Sequence, residues 1–414
     1  MRISPRDVKY GGAMFDQAEI DAVMKQMSHP AGLIPGAKVC EFERRVADYM
    51  GKRHGVMVNS GSSALTVAMR LANLPLGSEV ITPALTFSSD VACIYQAGCT
   101  PVFIDVGLDD YQILVDRIEG AITPETRAVL IPDLIGGICD WDRVREIADR
   151  QGLFVIHDSA DTLGGKLRGR PTASRADISI TSFSIFHIIT ALGNGGMVFF
   201  DDDALLDRAL ALRAWGRSSE KWMFGTRAGD SDGRFLEDLD GIEYDGLFIF
   251  EENAYGFIPN ECGAAFGVAQ MDKIDKLWAL REERFRWHEE FLGAHEDTFI
   301  LPKIIPDTET TWLCFPVQLK PETGWSRRKL QLQLEDSGII SRVIFSGNIT
   351  RHPMLRGHEF RIDEHGLSNS DQIMEYGIML PCHPTMTRED CDYLYQVIGD
   401  FIDADGEVTV ERDD

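Results

Sequence analysis

The sequence predicts an α/β fold: a mostly parallel sheet covered on both faces, followed by a smaller second α/β unit. Two observations carry this expectation. Short apolar runs alternate with amphipathic helical stretches up to about residue 200. Apolar strands interleaved with amphipathic helices indicate a mostly parallel sheet covered on both faces. The chain has 414 residues, 44% of them hydrophobic, enough for one large core and one smaller one.

In order, Val56–Val58 is a short apolar run, with a helix expected from Ser62 to Leu74. Glu79–Ile81 reads as a strand and Asp90–Gln96 as a helix. Pro101–Asp105 is extended, and Tyr111–Ala121 is expected to be helical. Ala128–Ile131 is apolar and β-branched, and Trp141–Gln151 is helical. Leu153–His157, Ile178–Phe183 and Met197–Phe200 complete the strands. Residues 217–253 are rich in Gly, Asp and Ser and read as a long loop or insertion, functional or mobile. One long helix is expected from Ala264 to about Leu292. Residues 300–400 mix strands and helices as a smaller second domain, and the acidic tail Asp403–Asp414 is expected to fray.

A net charge of −25 disfavours nucleic acid and anionic membranes as partners. No apolar stretch approaches the ~18 residues of a membrane span, and the N-terminal residues lack a signal-peptide pattern. The eight cysteines are scattered, without Cys-x-x-Cys or zinc-like spacing. Reduced thiols in a cytoplasmic protein are the expectation.

Four segments carry chemistry. Asn59-Ser-Gly-Ser-Ser-Ala64 joins a strand to a helix, and its small residues allow backbone N–H groups to approach a phosphate. The same residues also make a plain capped turn. Thr86-Phe87-Ser88-Ser89 follows another strand, and Phe87 is either a stacking ring or core. Asp158 ends the strand Leu153–His157, pointing into a ligand crevice or capping a helix. Thr181-Ser-Phe-Ser-Ile-Phe-His-Ile-Ile-Thr190 runs into Gly193-Asn-Gly-Gly196 and a strand.

That last segment is similar to the cofactor-lysine segment of pyridoxal phosphate sugar aminotransferases, with His187 in place of the lysine. Together the four segments, in this order and spacing, resemble the DegT/DnrJ/EryC1/StrS family over almost the whole chain, and within it the dehydratase branch. The resemblance implies the fold of PLP-dependent transferases of fold type I, like aspartate aminotransferase. It implies a large cofactor-binding domain with an N-terminal arm over residues 1–265 and a small domain over 266–414. It also implies a homodimer with sites near the subunit interface. Residue by residue, Gly61, Ser62 and Ser182 match the phosphate site, Phe87 the ring-stacking aromatic, and Asp158 the partner of the ring nitrogen. Asp161 stands where aminotransferases usually carry glutamine and the nearest dehydratases carry aspartate.

Within the branch, His187-Ile-Ile-Thr190 and Ser346-Gly-Asn-Ile-Thr-Arg-His-Pro353 resemble the CDP-4-keto-6-deoxyglucose 3-dehydrase type, and Pro381-Cys-His-Pro-Thr-Met386 ends the small domain much as family members do. That type holds a [2Fe–2S] cluster on four cysteines. Here the corresponding places read Ala160 and Trp215-Gly-Arg-Ser-Ser-Glu-Lys-Trp222, and no cysteine lies between Cys139 and Cys262. Cluster-free chemistry like that of GDP-4-keto-6-deoxymannose 3-dehydratase is therefore expected. Ser184 replaces a tyrosine. Gly256 stands near an asparagine that reaches the neighbouring subunit's phosphate, with Asn253 and Asn260 as alternatives.

A lysine bonds covalently to the cofactor aldehyde, and an imidazole cannot. The resemblance thus implies pyridoxamine 5′-phosphate, or pyridoxal 5′-phosphate after turnover, held noncovalently. His187, with an ordinary pKa near ~6.5, is the expected base in the loss of the C3 hydroxyl from a nucleotide-linked 4-keto-6-deoxyhexose. L-glutamate is the expected amino donor restoring the amine. Arg351, Arg342 and His352 are candidates for binding the nucleotide diphosphate or sugar. An aminotransferase with an unusual base and a catalytically silent binding homologue remain as alternatives. Lys166, in a hairpin, and Lys221, in the long loop, stand away from the cofactor-lysine position.

Overall fold

The computed structural model describes residues 7–409. The N-terminal stretch and the end of the acidic tail, residues 1–6 and 410–414, lie outside the described residues.

Seven strands form most of one sheet: β1 (His54–Val58), β2 (Glu79–Pro83), β3 (Thr100–Ile104), β4 (Thr126–Pro132), β5 (Phe154–Asp158), β6 (Ile178–Ser182) and β7 (Gly196–Phe200). Their order is β1-β7-β6-β5-β4-β2-β3, with Arg361–Ile362 added beside β3. β7 runs antiparallel to both neighbours, and the other pairings are parallel. Every residue of β6 and β7 is buried: β7 is accordingly apolar without alternation, whereas β6 (Ile-Ser-Ile-Thr-Ser) carries small polar residues at every second position. Helices α1 (Gln17–Met27), α2 (Ala37–Met50), α3 (Gly61–Ala72), α4 (Ser88–Gln96) and α5 (Trp141–Gln151) precede or connect the strands. The mostly parallel α/β architecture is the one the sequence predicts.

A second, antiparallel sheet orders Phe299–Ile300, Phe315–Leu319, Gly377–Leu380 and Arg342–Val343. Its core also takes in Val8, Tyr111, Leu134 and Ile135 from the first half of the chain. Several pairings tie this unit to the first half of the chain, among them Val8 with Ile339, Leu85 with Asn348, and Arg361–Ile362 with β3.

Four expectations need correction. Tyr111–Ala121 is not one helix. Tyr111 is buried with φ 63, Ile113 bridges Val106, and helix begins only at Val115. The segment's apolar residues instead divide between two cores, Tyr111 in one and Ile113 and Ile118 in another. The helix expected over Ala264–Leu292 is two, α6 (Glu261–Met271) and α7 (Ile274–Gly293). At the break, Lys273 binds Asp16 and Glu19 from the N-terminal helix region, a partner no local pattern reveals. Residues 217–253 are not a bare loop. They hold a short helix, Ser219–Met223, and a hairpin, Glu237–Leu239 with Ile242–Tyr244. The segment is rooted by an Arg217–Phe250 bridge and by Arg217 over the rings of Trp215 and Phe248. The tail does not fray at Asp403, since Thr409 N–H donates to Gln333 Oε1 at 2.8 Å.

Candidate active site

The C-terminal ends of the parallel strands and the small-domain segment around Phe345 enclose a crevice of about 320 Å³. This is where an open α/β sheet places ligands. Sequence-predicted residues lining it are Gly61, Ser62, Phe87, Asp158, Asp161, Ser182 and His187.

One end is built for an anion. Ser60 caps α3 by accepting from Ser63 N–H at 3.1 Å. The first-turn N–H groups of Gly61 and Ser62 have no intrahelical acceptor and lie at the positive end of the helix. Gly61 is required by close approach: a Cβ there would stand 2.7 Å from Ser182 Cβ. Gly196 is equally confined, its Cβ position 2.3 Å from Ser60 O. Ser182 therefore presses against the start of α3, beside those N–H groups. Phe87, half exposed, packs edge-on against Phe345 at 5.9 Å.

The crevice floor is acidic. Asp158 ends β5 and accepts from Ala160 N–H at 2.8 Å, while burial raises its pKa. Asp161 Oδ2 accepts from Ile135 N–H at 2.8 Å. Ile135 is held at φ 65 to make that contact, a costly conformation for a β-branched residue. Burial pushes the Asp161 carboxyl up to about 7.

His187 lies in the loop between β6 and β7. Thr190 folds that loop by donating to Phe183 O and accepting from Gly193 N–H, both at 2.9 Å. This is the physical role of the threonine and glycines that mark the segment. His187 Nδ1 meets Ser184 Oγ at 2.9 Å, and Nε2 stands 3.7 Å from Asp161 Oδ1. The sequence reading left the imidazole at its ordinary pKa. Burial, and then the Arg281 charge, instead lower it to about 4, so the ring is neutral at neutral pH.

Arg342, Arg351 and His352 do not line the crevice. Arg342 stacks over Tyr10, which does, at 5.6 Å. Arg351 is clasped by both carboxylate oxygens of Asp371. His352 Nε2 braces Ser346 O at 2.7 Å, next to Phe345. Lys166 and Lys221 are paired with Glu309 and Glu251, and no lysine lines the crevice among the described residues. Asn260 caps α6 through Gly263 N–H at 2.6 Å, whereas Asn253 lines a second cavity beside Ser62 and Arg70.

Sequence reasoning missed Tyr10, Asp90, Asp133 and Phe345, which also line the crevice, and Arg281 beneath it. Asp90 carried a weak signal, an acid directly before the apolar run Val91–Tyr95, but an acid in a helix's first turn reads as dipole compensation. Arg281 gave none. It is fully buried on α7 and donates to the carbonyls of Trp312, Leu313, Cys382 and His187. Among the described residues, no helix is long and apolar enough to cross a membrane, and no group of three or more His, Cys, Asp or Glu is placed to hold a metal ion.

Residues 14–399 match the model of the DegT/DnrJ/EryC1/StrS aminotransferase family, and the chain belongs to that family. It is 30% identical over 405 residues to the dTDP-4-dehydro-2,6-dideoxy-D-glucose 3-dehydratase of Saccharopolyspora spinosa, covering 95% of this chain and 86% of that one. It is 29% identical to the GDP-perosamine synthase of Caulobacter vibrioides, covering 91% of this chain and 93% of that one. The fold matches the E. coli GDP-4-keto-6-deoxy-D-mannose-3-dehydratase, solved with hydrated PLP, at a TM-score of 0.84 and 21% identity, covering 95% of this chain and 100% of that one.

Proposed function

We propose that this member of the DegT/DnrJ/EryC1/StrS family removes the C3 hydroxyl of a nucleotide-linked 4-keto-6-deoxyhexose, using noncovalently bound pyridoxamine phosphate and His187 as the base. One observation carries the reading: the His187 imidazole faces Asp161 in a crevice that no lysine lines among the described residues.

The crevice suits that cofactor. The confined turn at Gly61 and Ser182 offers N–H groups and a hydroxyl to a phosphate. Phe87 presents a half-exposed ring for stacking, and Asp158 offers a carboxylate to a ring nitrogen. When bound, the group supplies an amine to condense with a ketone and a conjugated ring to accept electrons.

The remaining work falls to side chains. With Nδ1–H donated to Ser184 Oγ, His187 keeps its lone pair on Nε2. That nitrogen would be the one to accept a proton when cofactor and sugar fill the crevice. Asp161, 3.7 Å away, would stabilise the imidazolium so formed, and the same ring could give the proton to a departing hydroxyl. A pKa of about 4 makes His187 a weak base before substrate enters, so its rise on ligand binding is part of the reading. Glutamate is the proposed amino donor that restores the amine.

The test is incubation with pyridoxamine phosphate, glutamate and a panel of nucleotide 4-keto-6-deoxyhexoses, read by mass spectrometry. Loss of one oxygen is expected from the parent, and none from His187→Asn with the cofactor still bound. An amino sugar as the parent's product would instead establish the aminotransferase alternative.

A further inference from the structure

We infer that Asp90 is a neutral carboxylic acid that donates its proton to Asp158, and that this acid–carboxylate pair, rather than Asp158 alone, receives the cofactor's ring nitrogen. The second half of the inference rests on the pyridoxamine phosphate reading, whereas the shared proton does not.

Asp90 lies in the first turn of α4 and lines the same crevice as Asp158, yet it is only 1% exposed. Thr86 Oγ1 donates to Asp90 Oδ2 at 2.7 Å. Its other oxygen, Oδ1, is buried and meets no N–H or O–H donor among the described residues. Both carboxyl groups line the same crevice, and each acts directly on the other. Two carboxyl groups facing each other in a dry site do not both ionise, so one proton is held between them.

The surroundings decide which group keeps the proton. From its own helix Asp90 faces the Cys93 thiol, and from the preceding turn the Thr86 hydroxyl. Across the crevice floor it faces Asp158 and then Asp161. Burial and the Asp158 charge therefore raise the Asp90 pKa well above the carboxylate range. Asp158 has compensation that Asp90 lacks: the Ala160 N–H and the field of His157 both favour its ionised form, although burial raises it overall. The proton belongs on Asp90.

The pair then carries one negative charge, matching one protonated ring nitrogen. Without the Asp90 donor, Asp158 would keep the Ala160 N–H and the field of His157 but lose a donor on the dry floor, and its ionised form would be less favoured, weakening its hold on the ring. Asp90 is thus a positioning residue acting through Asp158.

Infrared spectroscopy of the full chain, with and without pyridoxamine phosphate, tests the proton directly. Above about pH 8, Asp161, with a pKa of about 7, is largely ionised and does not interfere. A carboxylic-acid carbonyl band should remain in the parent and vanish in the isosteric Asp90→Asn. That variant still donates to Asp158 and should bind pyridoxamine phosphate as the parent does, by calorimetry. Asp90→Leu removes the donor and should weaken binding about tenfold, the equivalent of one charge-assisted hydrogen bond. A parent without the band, a band that survives Asp90→Asn, or Asp90→Asn binding as weakly as Asp90→Leu would overturn the inference. Failure of the parent itself to bind pyridoxamine phosphate, with the band present, would sink the functional reading and the ring-nitrogen half while leaving the shared proton standing.

Discussion

At the root of the 217–253 segment, Arg213 is enclosed by two glutamates. Beneath the crevice, Arg281 is enclosed by carbonyls. Both side chains are fully buried. Arg213 Nη1 meets Glu43 Oε1 at 2.7 Å and Nε meets Glu220 Oε2 at 2.5 Å, so its charge is cancelled where it stands. Arg281 has four carbonyl partners and no carboxylate within ion-pair distance among the described residues, and burial lowers its pKa. Its field therefore reaches outward, lowering His187 and opposing the rise of Asp161. The contrast teaches that an ion's neighbours decide whether it is a staple or a source of potential. The first fixes the segment to α2 and β1, and the second sets the charge state of the site.

The largest expected effect separates the two roles. Arg213→Met strands two buried carboxylates and should cost about 3–5 kcal/mol in denaturant unfolding. The His187 titration, followed by NMR, should not move. Adding Glu43→Gln and Glu220→Gln should recover most of the loss. If the triple variant is no more stable than the single one, the staple account is wrong.

Acid should act next, on histidines whose neutral form is favoured by folding. His288 is fully buried between Pro381 O and Tyr395 OH, and burial lowers it from 6.5 to about 4. Below about pH 6.5 the unfolded chain takes a proton that the folded chain refuses. Stability is therefore lost as pH falls from about 6.5 to about 4, by on the order of 3 kcal/mol from His288. Asp161 runs oppositely: raised to about 7, its contribution is present below about pH 4 and lost as pH climbs through 7. Melting temperatures of the parent and His288→Gln across this range check the first sign.

Arg281→Met leaves only neutral carbonyls behind. It should cost less than Arg213→Met, about 1–3 kcal/mol, while raising the His187 pKa. An unmoved His187 would show that Arg281 projects no field. Ser184→Ala is the mildest change, forfeiting one hydrogen bond worth about 1 kcal/mol, roughly fivefold in turnover. It should leave unfolding nearly unchanged.

The sequence made legible whatever is local. β-strand runs, the small residues of Asn59–Ala64, Asp158 at a strand end and the His187 segment each announce themselves over a few residues. Long-range features stayed hidden. Arg281 looks like one more polar residue of a helix until residues 312–313, 382 and 187 close around it. The break between α6 and α7 depends on Lys273 finding Asp16 and Glu19. Asp90 reads as a helix-start acid because the carboxyl group it faces, Asp158, lies far along the chain. Arg351 was read as a phosphate ligand on its residue type alone, before the Asp371 that clasps it could be seen.

The same Lys273 contact bears on how the molecule is assembled. All eleven residues of α6 are buried, and the amide of Gln270 reaches Glu19 Oε1 at 2.6 Å across 251 positions. On a translating ribosome, which lays down the chain from its first residue, α1 emerges long before the surface it must cover. The opening segment waits, unpaired, until nearly two-thirds of the polypeptide has been made, and its docking is among the late steps of maturation.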